Sequence, residues 1–246
     1  MKLVLLGTTG YHPNDRRHTA CMMLPEQGIV LDAGTAMYRV RDYLCATELN
    51  IFLTHVHLDH VVGLSFLIDI VHGKPLERVT VHAAPDKLQA VREHLLHPAL
   101  FPAPLPCEFR PLASEVPLVG GGRLTHFPVM HPGGAVGFRL DWPGHALAYV
   151  TDTTAAEDAE YVAAIRGVDL LVHECNFPDS DAALAARTGH STATPVAQVA
   201  RRAGVGRLVL VHVNPLADSE AALELDNARP IFPNLVVAHD RMEIEF

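Results

Sequence analysis

Six consecutive residues, His55-Val56-His57-Leu58-Asp59-His60, offer three imidazoles and a carboxylate. In an extended segment residues two apart point the same way, so His55 and His57 can share one ion. Asp59 and His60 follow where the chain must turn toward a helix, and they diverge from the first pair. One ion cannot easily take all four donors, whereas two neighbouring ions can. Nitrogen and oxygen donors without thiolate favour zinc, with manganese or iron as the alternatives. A pair of ions roughly 3.5–4 Å apart holds a hydroxide at neutral pH and stabilises charge on an attacked centre, which is the chemistry of hydrolysis.

Elements elsewhere must complete the set. Short apolar runs, at residues 3–6, 29–31, 51–53, 79–81, 147–150, 170–172 and 208–211, have the length and β-branched content of buried strands. Several of them, together with the stretch holding Phe127 and Val129, run directly into imidazoles or carboxylates: Thr54-His55, His131, Thr151-Asp152, His173-Glu174 and His212. In α/β folds ligand sites gather outside one end of the strands. The natural assignment puts His55, His57 and His131 on one ion and Asp59, His60 and His212 on the other, with Asp152 bridging through its two oxygens. Taken one by one, His12, His18, His72, His82, His94, His97, His126, His145 and His239 read as ordinary structural or surface residues.

Between the strands, residues 35–43, 85–96, 154–166 and 195–203 carry helix formers at near-3.6 apolar spacing. Hydroxyls at residues 191–194 before Pro195 predict a side-chain-capped helix start, and Gly204 its stop. Segment 98–117 holds six prolines and predicts a stiff connection or lip. No linker or repeat divides the chain, which predicts a single domain over 1–246. With 49% hydrophobic and 19% charged residues the composition argues for an ordinary globular protein and against disorder, and a formal charge of -9 does not suggest a broad nucleic-acid footprint, although bound metal cations would add local positive charge. The four cysteines form no Cys-x-x-Cys pair and read as thiols in a reducing compartment. The N-terminal apolar run is too short for a signal peptide, and the apolar stretch 61–71 is too short for a membrane span, so the expected location is the cytoplasm.

The order His-x-His-x-Asp-His, a lone His131, a strand-end Asp152 and a late His212 resembles the metallo-β-lactamase fold family across nearly the whole chain. That resemblance implies an α/β (α+β) architecture, a four-layer αββα sandwich with a dimetal site at one edge of two sheets. Leu-Leu-Gly-Thr-Thr-Gly-Tyr-His-Pro near the start, Leu31-Asp32-Ala33-Gly34-Thr35, His173-Glu174-Cys175-Asn176 and Gly189-His190-Ser191-Thr192 are similar to ribonuclease Z proteins. By that match Glu174 and His190 sit beside the metals, His190 donating to the phosphate in the transition state and Glu174 orienting it, while Asp59 doubles as metal ligand and proton acceptor. A homodimer is a further expectation from the family.

The chain departs from the transfer-RNA-processing members. Those carry a long arm after the lone histidine, whereas only twenty residues separate His131 from Asp152 here. After His212 the chain reads Val-Asn-Pro-Leu-Ala-Asp, without basic or aromatic residues. The expected activity is therefore a dinuclear zinc phosphodiesterase acting on a cyclic nucleotide, another small phosphodiester or an RNA 3' end, with a small substrate preferred over transfer RNA. Two alternatives use the same scaffold: opening of a lactone, thioester or β-lactam, and non-catalytic nucleic-acid binding or regulation.

Overall fold

A computed structural model describes every residue except Asp218. The chain folds into two compact units, residues 1–113 with 239–245, and residues 114–238 with 246. Each unit carries one mixed seven-stranded sheet.

The first unit contains β1 (Lys2–Gly7), β2 (Cys21–Leu24), β3 (Ile29–Leu31), β4 (Glu48–Phe52), β5 (Arg78–Ala83) and β6 (Glu108–Pro111). The second contains β7 (Glu115–Leu118), β8 (Gly122–Val129), β9 (Ala135–Trp142), β10 (His145–Val150), β11 (Leu170–Glu174), β12 (Arg207–Val211) and β13 (Leu235–Val237). The last strand, β14 (Met242–Glu245), returns to the first sheet and pairs antiparallel with β1. The sheet orders are β14-β1-β2-β3-β4-β5-β6 and β13-β12-β11-β10-β9-β8-β7. In both, one half is antiparallel and the other parallel.

Alternation along the strands decides which face takes the helices. Val4, Leu6, Met23, Val30, Ile51 and Val81 pack with Met37, Leu64, Leu67 and Leu88 from the helical segments of the first unit. In the second unit Ala148, Val150, Leu171, Leu208 and Leu210 pack with Val196, Val199, Ala200 and Ala203, the apolar stripe of helix Ala193–Ala203. Beside β1, the buried Asp240 carboxylate accepts bonds from the Thr8 and His18 backbone amides, the Thr8 hydroxyl and the Arg39 guanidinium, tying the segment before β14 to the first unit.

All seven expected strands form, and seven more accompany them. The helical segment at 35–43 is a 3-10 stretch followed by one α turn, and that at 85–96 begins as an α-helix and widens into a π turn, Val91–Leu95. Two expectations are corrected. Residues 154–166 keep only the short helix Tyr161–Ala164, because the preceding backbone bonds elsewhere: the Ala155 amide donates to Ser191 Oγ. Segment 98–117 is not connection throughout, since it supplies β6 and β7, each an edge strand of its sheet, where proline costs no interior ladder bond. The hydroxyl caps also differ. Thr192 occupies the N-cap without a side-chain bond, and the Asp179 carboxylate instead accepts from the Thr194 amide at 3.1 Å. Gly204 ends that helix in the left-handed conformation, φ 64°, as expected.

Candidate metal centre

In the first unit β3 and β4 run parallel, so Asp32 and the segment 54–60 leave the sheet at the same edge. His55 Nε2 and His57 Nδ1 lie 3.2 Å apart, and His60 Nε2 lies 3.5 Å from Asp59 Oδ2. Two donors each bound at about 2.0–2.1 Å to a tetrahedral ion are roughly 3.4 Å apart. Both pairs therefore have the spacing of atoms that share an ion, and they are two different pairs, as the sequence reading requires. Gly34 is needed beneath them, because a Cβ there would meet the Asp59 carbonyl at 2.2 Å.

The outer nitrogens are held from behind by one carboxylate. Asp32 Oδ2 lies 2.9 Å from His60 Nδ1. The Thr54 amide donates to Asp32 Oδ1 at 2.8 Å, and Thr54 Oγ1 stands 2.9 Å from Asp32 Oδ2 and 3.0 Å from His55 Nδ1. Fixing Nδ1 turns Nε2 of both rings toward the ligand side, the usual device behind metal-binding histidines. Asp59 Oδ2 accepts from the Tyr11 amide at 2.8 Å. Asp32 is completely buried and adopts φ 58°, a conformation that aspartate tolerates better than most residues.

In the second unit β10, β11 and β12 are parallel, so Asp152, Glu174 and His212 leave one edge. Two antiparallel pairings from β10 through β9 to β8 bring His131 to that same edge. Asp152 divides its oxygens between two imidazoles: Oδ2 lies 3.7 Å from His131 Nε2 and Oδ1 lies 3.3 Å from His212 Nε2. Behind them, His131 Nδ1 bonds the Gly189 carbonyl at 3.0 Å, and the Asn176 side-chain amide lies 3.1 Å from His212 Nδ1. Gly189 ends helix Ala182–Thr188 at φ 76°, and its absent Cβ would come within 3.0 Å of His131 Nδ1.

Glu174 and His190 stand beside this group. Ring centroids of His190 lie 5.3 Å from both His131 and His212, and His190 Nδ1 is 3.7 Å from Glu174 Oε2. Glu174, His190 and His212 each present a donor atom within 4.8 Å of the others. Glu174 is fully buried and also accepts from the Thr153 amide at 3.2 Å. Burial pushes its carboxyl pKa up, and the neighbouring His190 opposes that shift. His173, next to Glu174, has a structural place: Tyr161 Oη bonds its Nε2 at 2.9 Å, and burial lowers its pKa to about 4.

Thus His55, His57, Asp59 and His60 cluster in the first unit, and His131, Asp152, Glu174, His190 and His212 in the second. Sequence reasoning missed the supporting residues Asp32, Thr54 and Asn176. Asp32 had a signal, an acidic residue directly after the buried run 29–31, in the same position as the ligands after other strands. Asn176 had none beyond its place near Glu174.

A family profile described as beta-lactamase superfamily domain matches residues 29–213. Among curated relatives, Ribonuclease Z of Methanosarcina acetivorans is 26% identical, with 100% of this chain and 98% of that protein covered. That alignment spans 311 positions against the 246 residues here, so at least 65 of its positions fall opposite gaps in this chain. Among solved structures, the metallo-beta-lactamase fold protein YhfI from Bacillus subtilis aligns with a TM-score of 0.80 at 18% identity, covering 99% of both chains. A diphosphatase from the PhnP family aligns at 0.74 and 18% identity, over 100% of this chain and 97% of that one. The likeness shows the metallo-β-lactamase fold, as the motif order implied.

Proposed function

The chain belongs to the beta-lactamase superfamily, and from that premise we propose that it is a dinuclear zinc phosphodiesterase formed by residues 1–246 as one hydrolase domain. The observation that carries the reading is the Asp152 carboxylate, one oxygen facing each of two imidazoles, as a bridging ligand requires. In this reading His55, His57 and His131 would hold one ion and Asp59, His60 and His212 the other, with Asp152 available to both. The donor set fits zinc better than manganese, being rich in imidazole and free of thiolate. Two such ions supply Lewis acidity and water acidic enough to react near neutral pH.

The chain's own residues do the rest. His190 is placed to donate a hydrogen bond to a phosphoryl oxygen as charge builds on it. The buried Glu174 carboxylate stands 3.7 Å from His190 Nδ1, close enough to orient the ring electrostatically and leave its other nitrogen to donate. Asp59 accepts the proton released when water attacks, while the Tyr11 amide steadies the oxygen it bonds. The stretch from His131 to Asp152 is the β9–β10 hairpin and its flanking turns, with no room for an inserted arm. We therefore favour a small phosphodiester over transfer RNA as substrate.

The test is zinc stoichiometry alongside a panel of cyclic nucleotides, linear phosphodiesters, lactones, thioesters and precursor transfer RNA. Two zinc ions per chain and turnover of the small phosphodiesters are expected. Turnover confined to the carboxylic esters would overturn the phosphodiesterase reading, and efficient cleavage of precursor transfer RNA would overturn the small-substrate preference.

A further inference from the structure

Between β1 and β2, residues 8–20 form a loop that leaves Tyr11 80% exposed. An exposed tyrosine is ordinary by itself. Tyr11 differs in two respects. It adopts φ 59°, a left-handed conformation that a bulky side chain seldom takes and that gathers at functional sites. Its backbone amide donates to Asp59 Oδ2 at 2.8 Å, which fixes the residue to a candidate metal ligand. That bond does not need a tyrosine, since glycine would present the same N–H without the strain. The ring is what a glycine there would lack.

The loop holds that ring in place. The Thr9 amide donates to the His18 carbonyl at 3.1 Å and the Asn14 amide to the Arg17 carbonyl at 2.9 Å. Asn14 Oδ1 accepts from the Arg16 and Arg17 amides, both at 2.9 Å, and Arg17 Nη1 donates to Thr8 Oγ1 at 2.7 Å. His12 packs against the Tyr11 ring, centroids 5.4 Å apart and planes at 62°, while its own Nδ1 bonds the Pro13 carbonyl at 2.9 Å. The tyrosine is thus buttressed by a fixed neighbour and open to solvent over most of its surface.

We propose that Tyr11 is a specificity-determining residue whose ring stacks on a flat aromatic group of the substrate, a nucleobase or an aryl ester. The inference rests on the phosphodiesterase reading for the word substrate, while the preference for an aromatic group next to a phosphorus is independent of turnover. Reach supports it. Covalent geometry keeps a tyrosine ring centre within about 5 Å of its own amide nitrogen, so this ring lies within roughly 8 Å of Asp59 Oδ2. An aromatic group a few bonds from a phosphorus held beside Asp59 falls in that range. Chemistry supports it as well, because every base and aryl ring has a π-face and an ordered tyrosine gives up little freedom in stacking on one. Charge fits the anionic part of such a ligand: residues 10–18 carry Arg16 and Arg17 against Asp15, in a chain of formal charge -9.

The experiment measures two affinity ratios by calorimetry on the zinc-loaded protein: adenosine monophosphate over ribose 5-phosphate, and phenylphosphonate over methylphosphonate. Within each pair the phosphorus group is the same and only one partner carries an aromatic ring. At least one ratio should reach about tenfold, as one stacked ring implies; the first ratio marks a nucleobase and the second an aryl ester. That ratio should collapse toward unity in Tyr11→Leu, which keeps the backbone amide and the same backbone strain, and persist in Tyr11→Trp. A ratio cancels any general change at the metal centre. A second readout is the ring-labelled tyrosine spectrum, in which the resonance missing from Tyr11→Phe should move saturably with the preferred ligand. Two ratios near unity in the parent, a ratio unchanged in Tyr11→Leu, or a Tyr11 resonance that stays in place would overturn the assignment. A ring preference without turnover of any phosphodiester would leave the stacking role standing and sink the proposed function, while turnover with both ratios near unity would do the reverse.

Discussion

His190 and Asp32 should have different signatures when replaced. His190 lies beside the His131 and His212 rings, so its removal should leave zinc in place and slow the reaction. His190→Ala is expected to lower kcat by roughly 10²–10³ with two zinc ions retained, measured by steady-state kinetics and metal analysis on one preparation. Asp32 has the reverse signature. Replacing it by Asn keeps the shape and tolerates φ 58°, but weakens the grip on His60 Nδ1 and on Thr54. Losing such a partner typically costs roughly 10–100-fold in metal affinity. Asp32→Asn should show that loss in a competitive chelator titration, with near-normal rate once zinc is saturating; unchanged affinity would deny Asp32 its positioning role. The candidate ligands were legible because metal chemistry calls for a few particular residue types. Their supports were not, because a carboxylate, hydroxyl or amide holding an imidazole nitrogen from behind can come from any strand end.

At the scale of elements the parallel core strands were legible from uninterrupted apolar runs. Those missed are mostly short or half-exposed antiparallel members, such as β7 and β9, whose apolar positions are interrupted by exposed or half-exposed ones. The lost helix at 154–166 shows how local propensity is overruled. Its alanines favour a helix, yet the buried Ser191 hydroxyl donates to the Thr153 carbonyl at 2.7 Å and accepts from the Ala155 amide at 3.0 Å. Those two bonds hold the chain out of a helix just after Asp152. Ser191→Ala leaves both backbone groups without that partner and should cost about 2 kcal/mol in urea unfolding. Because Thr153 directly follows Asp152, zinc affinity should fall with it. A variant of parent stability and parent affinity would show that the clamp is dispensable.

The whole molecule should also lose stability in acid for an identifiable reason. His82 is 7% exposed, stacked on Phe52 at 4.6 Å, and bonded to Asn50; burial, with help from Arg110, lowers its pKa to about 4. The unfolded chain takes up this proton near pH 6.5 and the folded one does not until about pH 4. Stability is therefore lost as pH falls through that window, on the order of 2–3 kcal/mol for one group. His82→Phe preserves the stack and should flatten that part of the stability profile, measured as urea midpoints from pH 7 to pH 4. An unchanged slope would place the acid sensitivity elsewhere.

The return of β14 to β1, reinforced by Asp240, sets an order of events during synthesis. The first sheet is assembled from stretches of chain that flank the entire second unit, whereas the second unit is nearly continuous in sequence. A ribosome therefore releases everything the second sheet needs before it releases the strand that closes the first. The earliest-made part of the protein must wait, with the β1 edge unpaired, for a partner made more than two hundred residues later. That interval is when a neighbouring nascent chain could pair with the same edge, so slowing translation anywhere between β1 and β14 should raise aggregation.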